Sequence, residues 1–385
     1  MRSLILSRAT AHLAVLLIGL MGFCATGCGR IFQVDRPDSA HLPARDILRL
    51  AWFKQLVEPE ILTYKTQEWA SASIDKTGNV FVGSSSGRFS AYGERGKRLW
   101  TVKTEGAVSS TALISQTLGI VFFGANDGKM HAVNLKTGKK IWEYATQGIF
   151  EHAPVEADGM LLFTTDENRI YAVDARNGKW RWQYDRQAPE GFTIRGYAGV
   201  LVDGGVAYTG FSDGRIVALK TTTNDVVWTR SLVGEKKRFV DVDATPVLAD
   251  GLLITSSFAL GVVAMDAENG SIMWSHKSEG ASSIAAANGK IYFTVPTTGL
   301  VCLNQKGKPL WQQAIPKGIP SRPVVAGSYV YVTGTETGLY VASAQTGELL
   351  QYFPVGRGIS AAPAAVSGKV VILSNQGFLY AFNAN

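Results

Sequence analysis

The sequence predicts an all-β fold: an eight-bladed β-propeller of four-stranded blades, with the amino-terminal strand completing the last blade. Three observations carry that expectation. Trp52, Trp100, Trp142, Trp182, Trp228, Trp274 and Trp311 form one column of an internal repeat, with gaps of 48, 42, 40, 46, 46 and 37 residues, and a period of this size marks stacked or radial units. Each copy carries two apolar, β-branched runs joined by a tight Asn/Asp/Gly turn, which is a hairpin signal because the turn needs residues that tolerate positive φ. The two ends of the chain each hold part of a unit.

The second copy shows the elements in order: Gly119-Ile120-Val121-Phe122-Phe123-Gly124, the turn Ala125-Asn126-Asp127-Gly128, the run Lys129-Met130-His131-Ala132-Val133-Asn134, and Thr137-Gly138-Lys139-Lys140-Ile141-Trp142. In front of each hairpin lies a small-residue segment, such as Ala107-Val108-Ser109-Ser110-Thr111-Ala112, suited to the crowded innermost strand near the axis. Each tryptophan is expected to pack between adjacent sheets, burying roughly 150 to 250 Å². Gln351 stands at the eighth position of the column, so the boundary there is expected to pack less well. An eighth hairpin, 370–382, has no fourth strand after it, while Leu50-Ala51-Trp52-Phe53-Lys54 has a tryptophan strand and no hairpin before it. Each supplies what the other lacks, and pairing them closes the ring and protects its edges.

Residues 1–27 read as a signal peptide. Arg2 and Arg8 precede an apolar run, 13–23, that is shorter than the roughly 20 residues of a membrane span. The run ends at Ala25-Thr26-Gly27-Cys28, which resembles the lipobox of bacterial lipoproteins, with Ala25 where leucine is usual, and Cys28 is the expected lipidation site. Residues 28–46 form a lipidated tether, whose flexible chain would reach roughly 20 to 25 Å. Residues 47–385 form the propeller. Cys302, within Leu300-Val301-Cys302-Leu303, is expected to be an inert core thiol.

The formal charge is +7; without Arg2 and Arg8 it is +5, 36 basic side chains against 31 acidic. That excess is mild, and its one dense run is Lys236-Lys237-Arg238, so nucleic-acid binding is not expected. No catalytic or metal site is expected either. The five histidines lack metal-ligand spacing, there is no Gly-x-Ser-x-Gly elbow or phosphate loop, and Asp127-Gly128 and Asp213-Gly214 have a hairpin-turn explanation.

The Ala172-Val173-Asp174 and Ala264-Met265-Asp266 runs, each followed by a glycine and a tryptophan, resemble the repeat of pyrroloquinoline-quinone propellers. Enzymes of that kind typically hold the quinone under an adjacent-cysteine disulfide, and no two cysteines are adjacent here, so no cofactor is expected. The repeat type, the lipoprotein leader and the length together resemble the BamB family of the bacterial β-barrel assembly machinery. Two motifs sharpen the likeness: Gly191-Phe192-Thr193-Ile194-Arg195-Gly196 and Asp241-Val242-Asp243-Ala244-Thr245-Pro246. The resemblance implies that Phe192, Ile194, Arg195, Asp241 and Asp243 engage the POTRA domains of a BamA-like barrel-inserting protein, with phenylalanine and isoleucine in place of the family's leucines. It also implies a non-enzymatic scaffold, lipid-anchored at the periplasmic face of the outer membrane, that aids assembly and insertion of outer-membrane protein clients. The mature chain is basic where the family's examples are acidic.

Connections from one blade to the next should share one rim, which makes the two motifs neighbours. There, apolar side chains beside an arginine have the composition of a binding hot spot, and the same arginine could instead brace the rim by pairing with Asp241 or Asp243. Two other classes remain open. A propeller binding a cell-wall polymer or small ligand would present a polar, aromatic-lined central funnel, and a degenerate quinoprotein would bind the quinone.

Overall fold

The computed structural model describes residues 46–57, 67–187, 197–234, 240–257, 260–366 and 368–384. The leader, Cys28 and the tether up to residue 45 lie outside the described residues, as do 188–196 and Lys236-Lys237-Arg238. The strands form eight four-stranded antiparallel sheets, and no helix occurs among the described residues. Blade 2 is representative. Leu113–Ser115 lies innermost, followed outward by Ile120–Gly124, Lys129–Asn134 and Lys140–Ala145. Blades 1 and 3 to 7 repeat this order within 73–103, 155–185, 201–231, 247–276, 285–313 and 324–354.

Blade 8 is built from both ends of the chain, in the order Leu48–Gln55, Phe378–Ala384, Lys369–Leu373 and Ala364–Val366 from rim to axis. The first strand runs antiparallel to Phe378–Ala384, with Leu48 opposite Ala384, Leu50 opposite Phe382 and Lys54 opposite Leu379. The expected closure is the observed one.

Apolar burial is divided among the blade boundaries, each of which holds its own cluster. The cause is the period-two alternation of the middle strands, which sends successive side chains to opposite faces. In blade 2, Phe122 joins the cluster shared with blade 3, whereas Val121 and Phe123 join the cluster shared with blade 1.

The tryptophan column is the fastening between blades. Each indole lies over the turn that joins the third and fourth strands of the next blade, and six of the seven donate their N–H to a carbonyl there: Trp52 to Glu94 (2.8 Å), Trp100 to Leu135 (3.1 Å), Trp142 to Ala175 (3.1 Å), Trp182 to Thr221 (2.7 Å), Trp228 to Ala267 (3.0 Å) and Trp274 to Gln305 (2.8 Å). In every blade with such a turn except the fourth, a glycine brings bare backbone to the ring. A Cβ at Gly138 (φ +69°) would stand 2.7 Å from the Trp100 indole. Blade 4 has Asn224 at the equivalent place, at φ 57°, and its side-chain amide donates to Gln183 O at 2.9 Å, adding a second tie to blade 3. Trp311 Nε1 has no hydrogen-bond partner among the described residues, and Ala344 O accepts from the Tyr292 hydroxyl at 3.0 Å.

At Gln351 the expectation of a poorer boundary gives way to a different fastening. Blade 8 takes its third and fourth strands from opposite ends of the chain, so no turn joins them and a tryptophan would have nothing to cover. Gln351 instead accepts from Ile47 N–H (3.1 Å) and Leu48 N–H (2.7 Å) through Oε1 and donates to Leu48 O (3.1 Å). The side chain caps the entry of the closing strand.

One more regularity was not visible in the pattern. Every fourth strand carries a register shift at the column: Lys140 and Trp142 face Val133 and Ala132, leaving Ile141 between them as the bulged residue. The equivalent Leu99, Val227, Met273 and Leu310 are exposed on the circumference.

Candidate functional site

The rim inferred from the sequence is where connections between blades meet the turns that join second and third strands. Thr146 N–H donates to Gly128 O at 2.7 Å as the chain leaves blade 2, and Asn126 N–H donates to Ala107 O at 2.7 Å, so each connection is seated between the turns of its two blades.

Three successive connections, around 149–153, 197–199 and 240–245, are tied to one another. The Tyr197 hydroxyl accepts from Glu151 N–H (3.0 Å) and donates to Ile149 O (3.1 Å). His152 Nε2 donates to Tyr197 O at 2.7 Å, which leaves Nδ1 as the lone-pair nitrogen, 3.5 Å from Thr245 Oγ1. Thr245 Oγ1 in turn accepts from Gly199 N–H at 3.0 Å. Burial pushes the His152 pKa down to about 4, with the nearby Arg322 cation opposing protonation further, so the ring is neutral at neutral pH. The flanks of the two candidate motifs are therefore neighbours: Gly199 follows the first and Thr245 belongs to the second.

Of the residues named from the sequence, Phe192, Ile194 and Arg195 lie outside the described residues. Asp241 and Asp243 are described. Val242 between them is fully buried against Gly210, where a Cβ would meet Val242 Cγ1 at 2.5 Å, and its N–H donates to Phe211 O at 3.2 Å. This packing pins the segment to the turn of blade 4. Asp241 is buried, and its Oδ1 has no hydrogen-bond partner. Burial raises its carboxyl pKa. Asp243 is crowded by protein yet opens to solvent, and burial raises its carboxyl, with the neighbouring Asp241 charge adding to the effect. Neither aspartate has an ion-pair partner among the described residues.

Among the described residues, one ion pair that braces this rim is one the sequence reading missed. Arg186, at the end of blade 3, reaches Asp213 in the turn of blade 4, with Nη2 and Nε at 2.6 and 2.7 Å from Oδ2. Beside it, Asn168 and Ser212 exchange hydrogen bonds between the turns of blades 3 and 4. Asp213-Gly214 was legible as a turn, and Asp213 Oδ1 does accept from Arg215 N–H at 3.2 Å as a turn aspartate should. Nothing in the local pattern pointed to Arg186, because the contact crosses a blade boundary. Tyr197 and His152 had no sequence signal either.

Among the described residues no group of three or more His, Cys, Asp or Glu side chains could hold a metal ion. Cys302 is buried, and burial pushes its thiol pKa up to about 11, which leaves it a poor nucleophile.

A family model described as "Outer membrane protein assembly factor BamB" matches residues 85–306 and 297–385. The chain is 30% identical over 302 residues to the protein of that name from Salmonella typhimurium, covering 74% of this chain and 77% of the relative. It is 28% identical over 189 residues to that from Legionella pneumophila, a match that spans 47% of this chain and about half (48%) of the relative. The crystal structure of BamB from Moraxella catarrhalis superposes with a TM-score of 0.74 at 21% identity, covering 88% of this chain and all (100%) of that one, which is a likeness of fold. With a family match across blades 1 to 8 and eight sheets closed in a ring, the chain belongs to the BamB family of outer membrane protein assembly factors.

Proposed function

We propose that this protein is a non-enzymatic scaffold of the outer-membrane β-barrel assembly machinery, binding the POTRA region of a BamA-like barrel-inserting protein and aiding assembly and insertion of outer-membrane proteins. In this reading residues 1–27 are removed, Cys28 carries the lipid, 28–46 is the tether, and the propeller stands at the periplasmic face of the outer membrane. Partner binding falls to Phe192, Ile194 and Arg195 together with Asp241 and Asp243.

The observation that carries the reading is the state of Asp241. A carboxylate that is buried, without an ion-pair partner among the described residues, and pinned by packing of Val242 costs stability, and such a cost is retained at binding surfaces where a partner cation offsets it. The ties among Tyr197, His152, Thr245 and Gly199 hold the surrounding connections in one arrangement before any partner arrives, which lowers the ordering cost of association. Recovery of the barrel partner by Arg195→Ala and Asp241→Ala variants from detergent-solubilised envelopes tests the assignment. Both variants are expected to lose most of the partner, and recovery at the wild-type level would refute these loops as the contact. Loss of membrane association in Cys28→Ala, with the propeller intact, tests the anchor.

A further inference from the structure

The central channel carries a feature that partner docking at the rim does not use. Residues from all eight blades line a cavity of about 320 Å³ on the axis, among them Trp69, Glu151, His152, Arg322 and Ser360. A second cavity of about 370 Å³ continues along the channel, and Ser71 and Arg322 line both. Arg322 thus marks the waist between them. Its side chain keeps surface open to channel water but is enclosed by protein on nearly every side, and that enclosure lowers its pKa. Among the described residues no carboxylate pairs with it, and no hydrogen bond satisfies the guanidinium. Ser360 lines the same space, and its buried hydroxyl also lacks a partner. Trp69, by contrast with the column tryptophans, leaves 55% of its surface exposed.

We propose that the channel binds a small organic monoanion through its carboxylate, held by the Arg322 guanidinium, with the planar apolar part of the ligand against Trp69. The charge count selects the class. Among the described residues, the groups facing the cavity that can carry charge are Arg322, His152 and Glu151. His152 is neutral, being committed through Nε2–H to Tyr197 O. Burial, and after it the Asp166 charge, raise the Glu151 carboxyl pKa, and Glu151 exerts no charge effect on the Arg322 guanidinium. One uncompensated cation remains, and it matches one negative charge. The planar guanidinium fork presents paired donors at the spacing of a carboxylate, which a compact dianion uses less well. A serine hydroxyl turns about χ1 to add a further donor, and a half-open indole offers a flat apolar face. The volume lies at the lower end of the range for small-ligand sites. The site stands on these residues and is independent of the rim assignment.

Titration calorimetry of the full mature chain with benzoate, benzamide and inorganic phosphate tests it. Benzoate is expected to bind, and benzamide, equal in shape without the charge, at least tenfold more weakly. Arg322→Gln is expected to lower benzoate affinity at least tenfold, Arg322→Lys to restore part of it by returning the charge without the fork, and Ser360→Ala to lower it several-fold. Thermal melts of each variant identify any that fail to fold, and the Trp69→Leu variant supplies a second independent lesion in the same cavity. Benzoate affinity unchanged by Arg322→Gln, or phosphate binding as tightly as benzoate (an adventitious ion only), would overturn the proposal.

Discussion

Replacing Gln351 by alanine removes a side-chain fastening at the entry of the closing strand. Three hydrogen bonds disappear, two from the N–H groups of Ile47 and Leu48 and one to Leu48 O. At about 1 kcal/mol net for each, the loss is about 3 kcal/mol, and it is not recovered from water because Ile47 and Leu48 are only 5% and 6% exposed. The loss falls on the pairing of Leu48–Gln55 with Phe378–Ala384 and leaves the other blades untouched. A ring of eight sheets need not unfold in one step, so the appropriate assay is native-state proteolysis at Arg49 and Lys54, read by mass spectrometry, which reports local opening. Where reclosing outpaces cleavage, about 3 kcal/mol corresponds to cleavage roughly a hundredfold faster. Gln351→Trp supplies the opposite control. Matching the other seven positions would suggest stabilisation, but the structure provides no turn under the ring, so this variant should also open faster than wild type. Cleavage of Gln351→Ala within threefold of wild type, or a Gln351→Trp variant more resistant than wild type, would refute the capping account.

Gly138→Val should destabilise blade 2 by about 2 to 4 kcal/mol, because a side chain at φ +69° costs about 1 kcal/mol or more and its Cβ would meet the Trp100 indole at 2.7 Å; the urea midpoint followed by tryptophan fluorescence measures it. Asp241→Asn should leave stability unchanged or raise it by up to about 1 kcal/mol, since a buried charge with an orphaned oxygen is replaced by a neutral amide, while still lowering partner recovery; a destabilised variant would mean the carboxylate is structural. His152 binds a proton less readily when folded than when unfolded, so the stability it contributes is complete above about pH 6.5 and is lost as pH falls toward 4. The difference in urea midpoint between wild type and His152→Gln should therefore shrink across that window, whereas a constant difference would place the ring elsewhere than in the buried brace.

The architecture was legible because it is written many times over. Seven tryptophans at one place in the repeat, hairpin turns rich in Asn, Asp and Gly, and two incomplete ends are redundant signals, and an error in any one copy is corrected by the rest. What stayed hidden lies between copies. Gln351 looked like a defect until the missing turn of blade 8 explained it, and Asn224 departed from glycine because it gains a bond to Gln183 across a boundary. The bulge before each tryptophan defeated simple alternation, placing Ile141 and Met273 outward where an apolar residue suggests burial. At the rim, the segment around Asp241 could be found from its motif, but its lack of an ion-pair partner among the described residues depends on contacts that cross blade boundaries. Arg322 had no sequence signal, since an arginine before a proline in a small-residue stretch reads as an ordinary surface cation.

The bulges also bear on how the ring keeps to itself. Each blade ends in an outer strand whose free backbone edge could recruit any extended segment, a standing hazard for an exposed sheet edge. A kink at the tryptophan interrupts that edge partway, so an incoming strand could match it only over a short stretch before losing step. Sociability of the circumference is thereby rationed: brief encounters with passing chains are permitted, and long commitments that would end in aggregation are discouraged.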